Sequence, residues 1–464
     1  MFIEQLYTGC LSEAAYYIED NGEAAIIDPI RDIQSYIDLS AKRNSAIKYI
    51  FETHFHADFV SGHLELSAKT GAPIVFGPKT ETRYKILVAK DEQEFIIGRL
   101  KLKVLHTPGH TIESTCYLLY DENGAPHCIF TGDTLFVGDV GRPDLSSGDL
   151  GSEELAAMLY QSLQTKIKTL SDNVIVYPAH GPGSSCGKNI GPNAFSTIGE
   201  EKQNNYALAA PDQESFIKAV TEGLGVPPPY FMINAKINKE GYKNLDELLE
   251  KGLKTISVSE LTKWKSEEKD LIILDTRHAE LFTEGFIPDS IFIGLEGRFA
   301  EWAGTLLPFD TDILLVTEPG KEEESLIRLT RVGFERNIGF LEGGFEAWKN
   351  AGEPIDLIIN VEPDELAMDI PFDDQLVVID VRKAIEFEEG HVKDAVNFPL
   401  DTMKNPVSMA VLNDNDNFYV HCGGGYRSVI AASLMKRQGF NNLRNILGGW
   451  GKIQQVEFFN AEIK

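Results

Sequence analysis

Short apolar runs alternate with amphipathic stretches along the first half of the chain. Ala24-Ala25-Ile26-Ile27-Asp28, Ile47 to Phe51, Ile74-Val75-Phe76 and Leu100 to Leu105 read as strands, and the segments between them carry helical spacing. This predicts a layered α/β arrangement. Two more strand patterns follow, His127-Cys128-Ile129-Phe130 and Asn173 to Tyr177, and then a helical stretch. Three prolines in Gly223-Leu224-Gly225-Val226-Pro227-Pro228-Pro229-Tyr230 cannot continue a helix or a central strand, so a domain end with a docking arm is expected there. Beyond it the chain repeats itself. Leu274-Asp275-Thr276-Arg277 matches Ile379-Asp380-Val381-Arg382, Glu284-Gly285-Phe286 matches Glu389-Gly390-His391, and Gly343-Gly344-Phe345 matches Gly448-Gly449-Trp450. The shift, 380 − 275 = 105 residues, is too long for a solenoid unit and predicts two tandem α/β domains.

Composition narrows the class. With 464 residues, 43% of them hydrophobic, the chain can form roughly three domains with cores of their own. No run of about 18 apolar residues occurs, and Met1-Phe2-Ile3-Glu4 lacks the basic and apolar parts of a signal peptide, so a cytoplasmic protein is expected. The net charge of −28 repels phosphate backbones and anionic lipid. Nucleic acid and membrane are therefore excluded as expected partners. The five cysteines are odd in number, widely spaced and without a C-x-x-C pair, which argues against a disulfide framework. Cys116 and Cys128 lie in apolar runs and read as small buried hydrophobes, whereas Cys10, beside Gly9, points to nothing in particular.

The candidate chemistry sits at strand ends. After Ile47 to Phe51 comes Thr53-His54-Phe55-His56-Ala57-Asp58-Phe59, with two imidazoles and a carboxylate at every second position. One buried histidine is usually a satisfied core group; three donors in five residues are costly to bury without a metal. Leu100 to Leu105 leads into His106-Thr107-Pro108-Gly109-His110-Thr111, His127 to Phe130 into Thr131-Gly132-Asp133, and Asn173 to Tyr177 into Pro178-Ala179-His180-Gly181. Four strands delivering histidine or aspartate at the same kind of position favour one shared site.

This set, H-x-H-x-D, T-P-G-H-T, T-G-D and P-A-H-G, resembles the metallo-β-lactamase superfamily. The resemblance covers about residues 1–240 and implies an αββα sandwich with a metal at the edge where strands of both sheets end. Dinuclear hydrolases such as glyoxalase II carry histidine directly after the motif's aspartate, where this chain has Phe59, so a second metal would lose a donor. Two imidazoles and one carboxylate form the facial arrangement of non-haem Fe(II) oxygenases. Spacing alone equally allows His54 or His56 as a ligand. The resemblance to persulfide dioxygenases assigns His54, His110 and Asp133 to one Fe(II) per chain, and makes His56, Asp58 and His180 groups that orient ligands and substrate. The loop Gly138-Asp139-Val140-Gly141-Arg142-Pro143-Asp144 is similar to one beside the thiol substrate in those enzymes. Arg142 there is expected either to pair with a substrate carboxylate or to be held by Asp139 or Asp144. Cys186, six residues after His180, resembles a thiol of the dioxygenases fused to rhodaneses and is expected either to face the substrate channel or to be structural.

The second repeat holds Tyr419-Val420-His421-Cys422-Gly423-Gly424-Gly425-Tyr426-Arg427-Ser428 before the helical Val429 to Gln438. A cysteine at a strand end, a glycine loop and a helix start surround sulfur with backbone N–H groups, which favours thiolate and bound anions. With Asp380-Val381-Arg382 and Gly390-His391 this resembles a rhodanese, in which Cys422 carries a persulfide, Gly423, Gly424, Gly425 and Tyr426 form its loop, and Arg427 attracts the anion. The first repeat places Glu318 against Cys422 by inspection, which predicts an inactive domain.

The resemblances together imply a metallo-β-lactamase sandwich (1–240) followed by an inactive (255–355) and an active (358–464) rhodanese-like α/β domain. The expected activity is Fe(II)-dependent oxidation of a low-molecular-weight thiol persulfide by O₂ to sulfite, with sulfur transfer that makes or consumes thiosulfate, in a homo-oligomer. A dinuclear zinc thioester hydrolase with a sulfur-carrier domain and a persulfide carrier without oxygenase activity remain as alternatives.

Overall fold

The computed structural model describes residues 1–145 and 150–461. The chain divides into two compact units, the first Met1–Leu245 with Thr330–Gly333 and the second the remainder. In the first unit one sheet runs β1 (Phe2–Thr8), β2 (Glu13–Asp20), β3 (Glu23–Ile27), β4 (Ala46–Phe51), β5 (Ile74–Phe76) and β6 (Leu87–Val88), in that order. The other has the order β12-β11-β10-β9-β8-β7, built from β7 (Glu94–Ile97), β8 (Leu100–His106), β9 (Thr115–Tyr120), β10 (Pro126–Gly132), β11 (Ile175–Pro178) and β12 (Ser196–Thr197).

Side-chain alternation explains the layers. Along β9, Tyr117 and Leu119 pack with Tyr16, Phe51 and Phe130 between the sheets, while Cys116 and Leu118 pack outward with Leu159 and Phe216 of the helices Ser152–Ser162 and Gln213–Thr221. A strand buried on both faces reads as a continuous apolar run, as β9 does. The helices Gln34–Arg43 and His63–Thr70 cover the first sheet. This is the αββα sandwich expected from the sequence, and its central strands β4, β8, β10 and β11 end on one edge.

The proline segment does not end the unit. After it the helix Phe231–Glu240 returns to the site loop, where Asn238 Nδ2 donates to the carbonyls of His56 and Phe59, 2.8 Å each, and its Oδ1 accepts Ser61 N–H at 2.9 Å. The expected docking arm is thus a brace for the histidine loop. Composition reveals a break in a helix but not where the chain goes next.

The second unit holds two five-stranded parallel sheets of one topology, β13-β17-β16-β14-β15 and β18-β22-β21-β19-β20. The first comprises β13 (Thr255–Ile256), β14 (Leu271–Asp275), β15 (Ile291–Phe292), β16 (Asp312–Val316) and β17 (Asn337–Leu341). The second comprises β18 (Ile359–Val361), β19 (Leu376–Asp380), β20 (Val396–Asn397), β21 (Asn417–His421) and β22 (Leu443–Ile446). Strand register corrects the alignment of the repeats. Asp275 pairs with Val316 as Asp380 pairs with His421, so Val316 corresponds to His421 and Thr317, not Glu318, to Cys422. Gly344 and Gly449 confirm it, since a Cβ at either would meet the carbonyl of Thr317 or Cys422 respectively. Threonine carries no thiol, so the middle domain still lacks the sulfur-carrying group. Glu318 instead accepts the backbone N–H of His278 at 3.0 Å.

Candidate active site

The edge where the strands end brings His54, His110 and Asp133 together, all buried, with one ligand atom from each within 4.8 Å of the others. Asp133 Oδ2 lies 3.7 Å from His54 Nε2 and 3.4 Å from His110 Nε2, yet accepts no hydrogen bond. The remaining ring nitrogens are engaged elsewhere. His54 Nδ1 meets Thr53 Oγ1 at 2.9 Å and His110 Nδ1 meets the Arg142 carbonyl at 2.8 Å, which turns both Nε2 atoms toward Asp133. Close approach makes this possible: Gly132 has φ +50, and a Cβ there would lie 2.5 Å from Thr53 Oγ1. Burial and neighbouring His56 push His54 well below its ordinary value and hold it neutral, as a metal ligand must be. Burial raises Asp133, but the charge and hydrogen bond of His180 lead the interactions that outweigh it and hold the carboxyl well below its usual range. A buried carboxylate oxygen without a donor, facing the Nε2 atoms of two imidazoles, fits a metal cation.

His180 lies between two carboxylates, Nδ1 to Asp133 Oδ1 and Nε2 to Asp58 Oδ2, both 2.8 Å. Burial lowers its pKa, but Asp133 and Asp58 raise it well above the ordinary value. Cys186, 1% exposed, gathers with Asp58 and His180 and not with the cavity lining described below. Burial pushes its thiol well up.

His56 turns away from the three. Its Nε2 lies 3.2 Å from Asp28 Oδ1 and 3.6 Å from Glu52 Oε2, and its ring packs on buried Phe59 at 4.3 Å. Asp28 holds Thr53 by N–H and hydroxyl at 2.7 and 2.8 Å, and so supports His54 from behind. Asp28 is a site residue outside the motif set, although Ile26-Ile27-Asp28 shows the same strand-end signal as the other four.

Arg142 takes the structural one of its two expected roles. Its guanidinium is bidentate to Asp144 at 2.6 and 2.8 Å and donates to the Ser185 carbonyl at 3.3 Å, so it is not free for a substrate carboxylate. Asp144→Ala would leave a buried cation without its anion. It is expected to cost about 2 kcal/mol, less than a fully buried pair because Asp144 is 24% exposed. Calorimetry should show the first unit melting several degrees lower, and an unchanged midpoint would remove the pair's structural role.

A cavity of about 830 Å³ opens against His110, walled by Phe55, Ala57, Lys79, Met232 and Lys236. Its size suits a small organic molecule.

In the second unit Cys422, 1% exposed, directly follows β21. Gly425 N–H points at its Sγ from 3.1 Å, and the helix Tyr426–Arg437 starts beside it. Trp450 N–H donates to the Cys422 carbonyl at 2.7 Å, with Gly449 at φ +53. Two loop residues depart from expectation. Arg427 is bidentate to Glu386 at 2.7 and 2.8 Å, so its charge is already matched. Tyr426 points away from the sulfur. Glu386 lies 41 positions away in sequence, and only the folded chain pairs it with Arg427.

Residues 8–180 match the model of the Metallo-beta-lactamase superfamily, and residues 257–351 and 362–455 match the Rhodanese-like domain. A metallo-beta-lactamase from Staphylococcus aureus subsp. aureus COL is 33% identical, with a TM-score of 0.65, over 74% of this chain and 98% of its own. A probable hydroxyacylglutathione hydrolase of Schizosaccharomyces pombe is 27% identical over 234 residues, 45% of this chain and 87% of its own. ETHE1 from Myxococcus xanthus is 30% identical over 52% of this chain and 98% of its own, with a TM-score of 0.45.

Proposed function

Because the chain belongs to the metallo-beta-lactamase superfamily and carries two rhodanese-like domains behind that unit, we propose that it is a persulfide dioxygenase coupled to a sulfurtransferase. The observation that carries the metal chemistry is the convergence of His54 Nε2, His110 Nε2 and the undonated Asp133 Oδ2. His54, His110 and Asp133 would hold Fe(II), which would supply the redox chemistry for oxidation of a persulfide sulfur by O₂ and a charge that favours the persulfide anion. Phe59 and the His180–Asp58 hydrogen bond support one metal over two: phenylalanine offers no donor, and both His180 nitrogens already face carboxylates.

The chain's own residues bind and orient. The Arg142 carbonyl and Thr53 hydroxyl fix both imidazoles, and the cavity beside His110 holds the thiol carrier and limits water. The balance is RSSH + O₂ + H₂O → RSH + SO₃²⁻ + 2 H⁺: four electrons leave the outer sulfur and reduce O₂, and the carrier thiol departs. The partners proposed are a low-molecular-weight thiol persulfide, O₂ and the sulfite–thiosulfate pair, in a homo-oligomer; as for membranes, no described helix is long and apolar enough to cross one.

A second reading, a dinuclear zinc thioester hydrolase, is favoured by the similarity to a hydroxyacylglutathione hydrolase. Metal analysis beside an oxygen-electrode trace separates the two. One iron per chain with persulfide-dependent O₂ uptake is expected; two zinc ions with thioesterase activity and no uptake would sink the dioxygenase, and an empty site without uptake would leave a persulfide carrier.

A further inference from the structure

The middle domain lacks a thiol at the position of Cys422, yet it reaches the loop around that sulfur. Tyr426, the residue between Gly425 and Arg427, is turned into the middle domain. Its hydroxyl donates to the Gly294 carbonyl at 2.7 Å, and burial raises its pKa well above the ordinary value, so it stays a donor. The ring lies on Gly297, where a Cβ would fall 2.2 Å from Tyr426 Cζ, and meets the edge of Phe292 at 6.1 Å and 67°. Gly297 therefore supplies the space the ring occupies. The seat is part of a broader contact, since Phe292 N–H donates to Ser433 Oγ at 3.0 Å and Lys436 pairs with Asp356 at 2.9 Å.

The two neighbours of Tyr426 are the loop's functional groups. Gly425 aims its N–H at Cys422 Sγ, and Arg427 is gripped by Glu386. Holding Tyr426 restrains the residue on either side, because each shares a planar peptide unit with it and only two dihedrals per residue are soft. We propose that the Gly294–Gly297 slot of the middle domain is a latch for Tyr426, and that Tyr426 is a positioning residue that holds the Cys422 loop in its sulfur-carrying shape. The cysteine-free domain is thereby a working part of the sulfurtransferase. This rests on the sulfurtransferase reading only for its turnover measurements.

The test uses the full chain with Gly297→Ala, Tyr426→Ala and Tyr426→Phe. Thiosulfate:cyanide sulfur transfer, the rate of iodoacetamide attack on Cys422 followed by peptide mass, persulfide-dependent O₂ uptake and the thermal midpoint are measured. Gly297→Ala and Tyr426→Ala are expected to lower kcat for sulfur transfer about tenfold, the scale of a small misplacement of reacting groups. The same two variants should speed alkylation of the otherwise buried Cys422, with O₂ uptake unchanged and the midpoint lowered by no more than a few degrees. Tyr426→Phe keeps the ring and loses one hydrogen bond, so most of the transfer rate returns, to within about threefold of the unaltered protein.

Unchanged transfer and alkylation in both Gly297→Ala and Tyr426→Ala would overturn the latch. A loss that follows a lowered midpoint and is not recovered by Tyr426→Phe would overturn it too, leaving Tyr426 a packing residue. If the unaltered protein transfers no sulfur, the sulfurtransferase reading fails, and the alkylation rates still decide the latch.

Discussion

Asp133→Asn is expected to empty the metal site and abolish O₂ uptake while leaving the fold in place. Asparagine matches the volume of aspartate but removes the charge and presents either a weaker oxygen or an N–H to His54 and His110. In the native chain Asp133 Oδ2 has no donor, and two imidazole nitrogens face it at 3.4 and 3.7 Å. With the anion gone, the three-donor set keeps no charge to compensate a divalent cation buried there. Bound iron should fall below about a tenth of an equivalent and uptake by at least about a thousandfold, the scale on which a lost metal centre acts. His54→Ala and His110→Ala should behave alike. His56→Gln should keep its iron, because His56 faces Asp28 and Glu52 and not Asp133, and should lower the thermal midpoint by disturbing that buried cluster. Plasma emission analysis and the oxygen electrode give both numbers; full iron in Asp133→Asn, or iron lost from His56→Gln, would redraw the ligand set.

The contrast between His54 and His56 shows where sequence reading stops. Both stand after the same strand at alternate positions, so spacing treats them as equals. What separates them is the loop's path, set by Asp28 beneath Thr53 and by Asn238 holding the His56 and Phe59 carbonyls. Those partners come from 25 to 182 positions away, and no local pattern announces them. The layered fold was legible because strands buried on two faces spell apolar runs, and the shared metal edge because four such runs end in donors. Arg142 stayed ambiguous for a different reason: an arginine near two aspartates pairs with whichever the turn brings round, and that was Asp144. The shift of the sulfur position from Glu318 to Thr317 is one residue wide; the 105-residue offset of the repeat already points to Thr317, 422 − 105 = 317, and the strand pairing agrees with it.

Cys422→Ser is expected to change the product and leave the oxidation running. In the proposed coupling, sulfite made in the first unit attacks the outer sulfur of a Cys422 persulfide; a new S–S bond forms, the Cys422–sulfur bond breaks, and its electron pair returns to Sγ, giving thiosulfate and a thiolate. The Gly425 N–H at 3.1 Å and the adjoining helix start stabilise that thiolate. Arg427, tied to Glu386, serves as a fixed wall and not a free cation, so the backbone of Gly423 to Gly425 does most of the anion binding. Serine cannot carry sulfane sulfur, and Thr317 at the matching place in the middle domain offers no substitute. Thiosulfate:cyanide transfer should therefore drop at least about a thousandfold, as when a nucleophile is removed outright. O₂ uptake should stay within about twofold, since no residue of the three-donor site is altered. Chromatography of the sulfur products during turnover should show sulfite in place of thiosulfate. Thiosulfate formed at the native yield would disconnect Cys422 from the oxidation, whereas loss of O₂ uptake together with thiosulfate would mean that the iron site depends on sulfur delivered through Cys422.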